Sequence, residues 1–145
     1  DHDSECEWHL LEKTEHQQLQ RCYADLNRFY LDEKALQNDT FDGTIYSAMD
    51  DNQNSIIGFV RKNGEDNILA VFNFTSTTIT DYAIGVPTAG RWVEVFNTDK
   101  EEYGGGNLVC TKPSFSSPEP THGFQQNVSI GIPPLGASFW KNIDE

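Results

Sequence analysis

Basic side chains are scarce in this sequence. Its 145 residues carry 10 lysines and arginines against 23 aspartates and glutamates, a formal net charge of −13. A nucleic-acid-binding surface needs clustered cations to displace counterions from phosphates, and an anionic membrane surface attracts the same cations. The composition therefore argues against nucleic acid and membrane as partners, and it is compatible with a neutral partner such as a polysaccharide.

Cysteine is also rare, and the three residues, Cys6, Cys22 and Cys110, lie far apart. They form no CxxC pair, whereas a tetrahedral metal centre needs closely spaced ligands. We therefore predict three reduced thiols, as expected in the cytoplasm, with no metal site and no cofactor. No apolar run approaches the roughly 20 residues of a membrane span, and no charged-then-apolar leader opens the chain.

Apolar side chains are numerous enough for a folded core. Hydrophobic residues make up 37% of the sequence and aromatic residues 12%, which argues against a disordered chain. The length allows one ordinary domain with an appendage.

The first forty residues have helical periodicity. Thr14 and Gln17 have the spacing of a capping box, which predicts a helix from Thr14 to about Tyr30. We expect its apolar stripe to pack on the following domain or on a second copy of the chain. Short helical turns are predicted before it, over 4–11, and after it, over 32–36. The stripe recurs at three- and four-residue spacing and consists of Leu19, Cys22, Tyr23, Leu26 and Tyr30.

From residue 41 onward the pattern is that of β-strands, rich in Val, Ile, Phe, Tyr and Thr and separated by turn residues. Several short strands without helices between them predict a mainly β fold, an antiparallel sandwich or barrel. The division is thus a helical segment, 1–40, and an all-β domain, 41–145. A stretch over 98–123, with Gly104 to Gly106, is predicted to be irregular and flexible. The predicted strands span 44–48, 55–62, 67–73, 77–84, 91–97, 126–132 and 137–143.

The sequence contains no complete metal-binding or catalytic motif. Asp50, Asn52 and Asn54 have the spacing of the first ligands of a calcium loop, but Ser55 and Arg61 stand where glycine and glutamate are needed. The pattern therefore favours a hairpin turn. With 23 carboxylates, no particular pair is informative, and we predict no catalytic residue.

Several short sequence motifs, which follow one another in the family's order, resemble the carboxy-terminal end of bacterial 1,4-α-glucan branching enzymes. The most specific is Tyr-Ala-Ile-Gly-Val-Pro at 82–87, which continues through Gly-Arg-Trp at 90–92 to Glu-Val-Phe-Asn-Thr-Asp at 94–99. Glu-Trp-His-Leu-Leu at 7–11 and Pro-Pro-Leu at 133–135 are similar to further sequence motifs of that family. The resemblance runs nearly from end to end.

The resemblance implies a cytosolic transferase of the α-amylase superfamily, which cuts an α-1,4-glucan and rejoins the segment through an α-1,6 bond. In that family the catalytic carboxylates sit at the ends of (β/α)8-barrel strands, and no residue of this chain matches them. The expectation is the last barrel helix followed by the all-β, α-amylase C-terminal type of domain. Its partners would be the catalytic barrel and, through stacking aromatics, α-glucan.

Three aromatic residues, Trp92, Tyr103 and Trp140, are candidates for stacking on sugar rings, because a flat aromatic matches a pyranose face. The alternative for the two tryptophans is a place in the core, since each lies in a β-rich stretch. Two other functions remain open: a free-standing carbohydrate-binding module, and the corresponding end of another α-glucan-active enzyme such as a debranching hydrolase. The leading helix argues against the module, because such modules rarely begin with an amphipathic helix that needs a partner.

Overall fold

A computed structural model describes residues 5–38, 44–109 and 112–143, without the side chains of 44–48. Among these residues, antiparallel strands form one sheet in the order β1-β2-β3-β8-β5-β6 and a second sheet from β4 and β7. The prediction of a mainly β, antiparallel sandwich is confirmed. The strands are β1 (Thr44–Asp51), β2 (Ile56–Asn63), β3 (Asp66–Asn73), β4 (Ile79–Val86), β5 (Arg91–Asn97), β6 (Ser114–Phe115), β7 (Gln126–Ile132) and β8 (Gly136–Ile143).

The core lies between the two sheets and follows the alternation of the strands. Successive side chains of a strand point to opposite faces, so every second residue enters the core. In β3, Leu69 and Val71 face the small sheet, while Ala70 and Phe72 face away from it. The buried cluster comprises Met49, Ile56, Val60, Leu69, Val71, Ile84, Val86, Trp92, Val128, Ile130, Ile132 and Trp140.

The strand register is set by tight turns. β2 and β3 pair without a shift up to Asn63 and Asp66, which leaves a two-residue turn between them. Gly64 begins that turn at φ 62°, a conformation that glycine adopts without steric cost and that suits a hairpin of this length. β6 falls inside the stretch predicted to be irregular. It has only two residues, too few for alternation to be visible in the sequence.

One α-helix, α1 (Thr14–Asp32), precedes the strands, between 3-10 helices at Trp8–Glu12 and Lys34–Gln37. The predicted capping box is wrong: Lys13 is the N-cap and makes no side-chain cap hydrogen bond. Gln17 instead donates from Nε2 to the Leu11 carbonyl oxygen at 2.6 Å. The side chain thus connects α1 to the 3-10 helix before it.

The helix packs on the outer face of the large sheet, so the molecule has three layers. Phe29 stacks on Phe96 with ring centroids 5.6 Å apart and meets the edge of Phe139 at 5.4 Å. At the end of the helix, Lys141 of β8 pairs with Glu33 at 2.7 Å. Packing on the sandwich was expected, but through the stripe around Leu19 and Tyr23. The structure corrects this, because α1 is rotated so that Phe29 faces the sheet.

Candidate functional site

Two of the three predicted sugar-stacking residues lie in the core. Trp92 and Trp140 are 0% and 1% exposed. Their indole N–H groups donate to the Thr88 carbonyl at 3.2 Å and to Ser138 Oγ at 3.0 Å. Both indole faces are enclosed by core side chains, which leaves no room for a pyranose. Of the two alternatives for these tryptophans, the structure shows the place in the core and contradicts sugar stacking.

Tyr103, the third candidate, lies half-buried between the sheet and α1. Its ring stacks on Phe96 at 5.6 Å, and its hydroxyl donates to Asp25 Oδ2 at 3.0 Å. Burial, and then the bond to Asp25, raise the pKa of the phenol. One face of the ring is thus occupied, and sugar contact by Tyr103 stays a prediction.

The glycine-rich segment is held by Asp99 and is not the flexible loop that was expected. The Asp99 carboxylate accepts the backbone N–H groups of Gly106 and Leu108, both at 2.8 Å. A Cβ atom on Gly105 would lie 2.2 Å from the Asp99 carbonyl oxygen, so only glycine permits this close approach. The loop is folded around one buried carboxylate. Asp99 ends the most specific family motif, but its hydrogen bonds to the loop could not be read from the sequence.

This loop attaches α1 to the sandwich through three successive polar contacts. Gln18 donates to the Glu101 carbonyl at 3.2 Å, Arg21 pairs with Glu102 at 2.8 Å, and Asp25 accepts from the Tyr103 hydroxyl. Gln18, Arg21 and Asp25 are three and four residues apart, which places them on one side of the helix. Together with Phe29, they fix the rotation of α1 about its axis.

A consequence of that rotation is that the predicted apolar stripe remains largely uncovered. Leu19, Tyr23 and Tyr30 are 54%, 61% and 48% exposed. Cys22 and Leu26 are half-buried at the edge of the helix–sheet contact. Burial of a large apolar side chain stabilises a protein by roughly 1.5–3 kcal/mol. An ordered helix that leaves three such side chains in water is typical of a surface that packs on a partner.

Beside this stripe, a groove of about 510 Å³ runs between α1 and two turns of the sandwich. One turn joins β3 to β4 and presents Phe74; the other joins β7 to β8 and presents Leu135. Its lining contains no charged residue and consists of Leu19, Cys22, Tyr23, Leu26, Phe72, Asn73, Phe74, Thr98, Tyr103, Leu135, Gly136 and Ala137. We call this groove, with the exposed stripe of α1, the apolar surface.

Glu94 is the carboxylate with the most perturbed protonation among the described residues. Burial raises its pKa to about 7, against the opposing effects of a hydrogen bond from Asn97 and of the charge of Lys100. The Glu94 side chain lines a polar cleft together with Lys100, Glu101, Glu102 and Asn107. That described lining includes no aromatic ring on which a sugar could stack, so the cleft offers no glycan platform.

The calcium-like segment forms the turn that was predicted. Asp51 accepts from the backbone N–H groups of Gln53 and Asn54 at 3.1 Å, from Asn54 Nδ2 at 2.6 Å and from the Tyr82 hydroxyl at 3.1 Å. These bonds, led by that of the Asn54 side chain, lower the pKa of Asp51. Its oxygens are committed to the hairpin.

Within the described ranges, no group of three or more His, Cys, Asp or Glu side chains is placed to hold a metal ion. Cys6 and Cys22 are free thiols, and Cys110 lies outside the residues that the structure describes. No helix in this part of the chain is both long and apolar enough to cross a membrane.

Fold and surface together define an accessory β-sandwich domain with a helix on its outer face and an uncovered apolar surface. The chain belongs to the family of the alpha amylase C-terminal all-beta domain, whose model matches residues 46–143. The matched range begins inside β1 and ends with β8. The exact boundary at residue 40 stays a prediction.

The chain is also similar to curated 1,4-alpha-glucan branching enzymes GlgB. It is 39% identical to that of Salinibacter ruber over 137 residues, 94% of this chain and 22% of that protein. It is 38% identical to that of Aquifex aeolicus over 146 residues, 98% of this chain and 23% of that protein. These homologues confirm the resemblance to branching enzymes, and the chain corresponds to the C-terminal part of such an enzyme. It spans about a fifth of their length.

Proposed function

We propose that this chain is the non-catalytic C-terminal portion of a glycogen branching enzyme, and that its own role is to pack against the catalytic barrel. The parent protein would transfer α-1,4-glucan segments to form α-1,6 branches. The names of its homologues support this activity, and so does the family of the domain. On the family resemblance we also propose a cytoplasmic location.

The observation that carries the packing role is the exposed stripe of α1. Leu19, Tyr23 and Tyr30 lie about 100° around the helix from Phe29 and its neighbours, because an α-helix turns 100° per residue. The helix thus has two apolar faces, one covered by the sandwich and one uncovered. A helix between a barrel and a sandwich needs both faces. A helix that belonged to the sandwich alone would need only the first.

The catalytic carboxylates of the parent would lie on the barrel and not in this chain. Glycoside transfer with retention takes two carboxyl groups roughly 5 Å apart, one of them an acid of raised pKa. Among the residues that the structure describes, only Glu94 has a clearly raised carboxyl pKa, and the described lining of its cleft contains no aromatic ring for a sugar. We assign Glu94 no catalytic role.

The alternatives have less support. The three aromatics predicted to stack on sugar give little support to a free-standing carbohydrate-binding module, because Trp92 and Trp140 are buried and one face of Tyr103 is covered by Phe96. A debranching hydrolase would have a similar accessory domain, but the homologues are named as branching enzymes. Contact of the domain with α-glucan, through Tyr103, is a secondary part of the proposal.

Self-association of the 145-residue chain tests the packing role. We expect the isolated chain to dimerise through the exposed stripe, because no barrel covers it. In sedimentation velocity, the double variant Leu19→Ser/Tyr23→Ser should shift the population towards monomer. Gln20→Ser, a change at an exposed polar position of the same helix, serves as the control and should leave the distribution unchanged.

The longer protein provides the second half of the test. In it, the double variant should reduce stability and glucan-branching activity together, whereas Gln20→Ser should change neither. An isolated chain that is monomeric at high concentration, with a parent enzyme indifferent to both substitutions, would contradict the packing role.

A further inference from the structure

The β7–β8 turn holds a leucine in a strained conformation and directs its side chain into solvent. Leu135 has φ 45°, a region that bulky residues without glycine's freedom rarely enter. Its side chain is 73% exposed. Burial in this domain therefore does not repay the backbone strain. Strain of this kind persists where the surrounding structure enforces it and where the position serves an interaction.

The surrounding structure does enforce it. The Leu135 N–H donates to the Thr75 carbonyl oxygen at 2.7 Å, which joins the β7–β8 turn to the β3–β4 turn. A Cβ on the next residue, Gly136, would lie 2.8 Å from Thr98 Oγ1, so a larger residue there would have to displace the Thr98 side chain. Leu135 is thus held in place by two neighbouring segments.

The β3–β4 turn is held in the same manner. Asn73, which is buried, donates to the Thr77 carbonyl at 2.8 Å and accepts from the N–H of Thr75 at 2.9 Å and from its hydroxyl at 2.8 Å. Phe74 lies inside this network, and its own N–H donates to the Ser55 carbonyl at 3.1 Å. Its side chain is nevertheless 62% exposed. Two rigid turns therefore present two apolar side chains at one rim of the groove.

We propose that these two turns form a preorganised docking site, which we call the clamp. Its exposed side chains, Leu135 and Phe74, would contact an apolar segment of the part of the parent chain outside these 145 residues. The inference rests on the proposed function. The groove continues into the exposed stripe of α1 at Leu19 and Tyr23, so one partner would cover both. The groove lining carries no charge, which fits an uncharged occupant, although the chain as a whole carries −13.

Preorganisation explains why strain is tolerated at Leu135. A backbone already held in its bound conformation loses little conformational freedom on docking, which increases the affinity of the interface. The homologue from Salinibacter ruber is about four times as long as this chain, so most of such a protein is available to supply the occupant.

Hydroxyl-radical footprinting with mass spectrometry measures the exposure of single side chains and tests the clamp. Oxidation of Phe74 and Leu135 should fall at least about fivefold from the isolated chain, kept at a concentration at which it is monomeric, to the full-length protein, as expected when exposed side chains become buried. Tyr23 and Tyr30 should fall as well. Leu108, an exposed leucine of another loop, is the control and should not change.

The outcomes separate the two proposals. If Tyr23 and Tyr30 are protected while Phe74 and Leu135 are not, the clamp is refuted and the packing role of α1 stands. If none of the four is protected, the proposed function fails with it. Equal protection of Leu108 also refutes the clamp, because burial would then be general.

A substitution provides a second, independent measurement. Leu135→Asn should leave the Tm of the isolated chain unchanged or slightly higher, because asparagine tolerates positive φ and the side chain is exposed there. In the full-length protein the same change should lower the Tm by about 1 °C or more, because a given loss of stability shifts the Tm of a longer chain less. Leu108→Asn should be neutral in both. A similar response of the isolated chain and the full-length protein to Leu135→Asn would refute a docking role.

Discussion

Replacement of Phe29 by alanine tests the rotation of α1 on which the apolar surface depends. Phe29 contacts the rings of Phe96 and Phe139, whereas the next residue, Tyr30, is largely exposed. The two positions are adjacent in sequence and have side chains of similar size. They therefore form a matched pair in which only the direction of the side chain differs.

The expected loss can be derived from the contacts. Deletion of a buried phenylalanine side chain costs about 3–5 kcal/mol, and each aromatic pair contributes about 0.5–1.5 kcal/mol beyond the area that it buries. Phe29 is half-buried, so we expect Phe29→Ala to lower the free energy of unfolding by about 2–3 kcal/mol. Tyr30→Ala, measured at a concentration at which the isolated chain is monomeric, should change it by about 0.5 kcal/mol or less.

Urea denaturation of the isolated chain measures this with two probes. Circular dichroism at 222 nm reports mainly on α1, and tryptophan fluorescence reports largely on the sandwich through Trp92 and Trp140. If helix and sandwich unfold together, Phe29→Ala shifts both midpoints down by about 1 M or more, for a slope of 1–3 kcal/mol per M. If α1 detaches first, only the helical signal shifts.

Either pattern supports the packing of Phe29 on the sheet. Packing of Phe29 on the sheet is refuted if Phe29→Ala leaves both signals unchanged, or if Tyr30→Ala lowers the free energy of unfolding more than Phe29→Ala does. The helix would then be rotated by about 100°, and the stripe that we describe as exposed would be the one on the sheet.

Three further predictions concern the core, a titrating group and activity. Trp92→Ala should destabilise the chain by about 3–5 kcal/mol in urea denaturation, whereas Ala at the exposed Trp8 should be nearly neutral; the reverse order would contradict the core assignment. Glu94 has a pKa raised from 4.5 to about 7 in the folded state. The folded state therefore favours the neutral carboxyl, and that stability is present below pH 4.5 and lost as the pH rises through 7. Glu94→Gln should thus gain about 1–2 kcal/mol over the parent sequence at pH 8, after allowance for solvent screening, and almost nothing at pH 4; equal midpoint shifts at both pH values would count against it. The isolated chain should neither branch nor hydrolyse amylose, followed by iodine colour and new reducing ends, and turnover free of contaminating amylase would overturn the non-catalytic assignment.

Local patterns in the sequence were sufficient for most of the secondary structure. Enrichment in Val, Ile, Phe, Tyr and Thr between turn residues predicted strands close to their observed ends, since such side chains suit the pleated surface of a sheet. Gly64 illustrates why turn residues separate strands, because it adopts positive φ between β2 and β3. The sequence motifs in the family's order indicated the correct family, whereas composition, charge and strand patterns alone indicated only an acidic β domain.

What the sequence could not determine was which of several apolar faces a partner covers. Periodicity identified the stripe of Leu19, Tyr23 and Tyr30, but Phe29 has an equally apolar side chain on the adjacent face. The choice depends on Phe96 and Phe139, more than sixty residues away along the chain. For the same reason, the sequence left open whether Trp92 and Trp140 lie in the core or on the surface. It also did not show that Asp99 is the centre of a folded loop. Spacing along a chain shows which residues can share a face, whereas only the packed layers decide what that face meets.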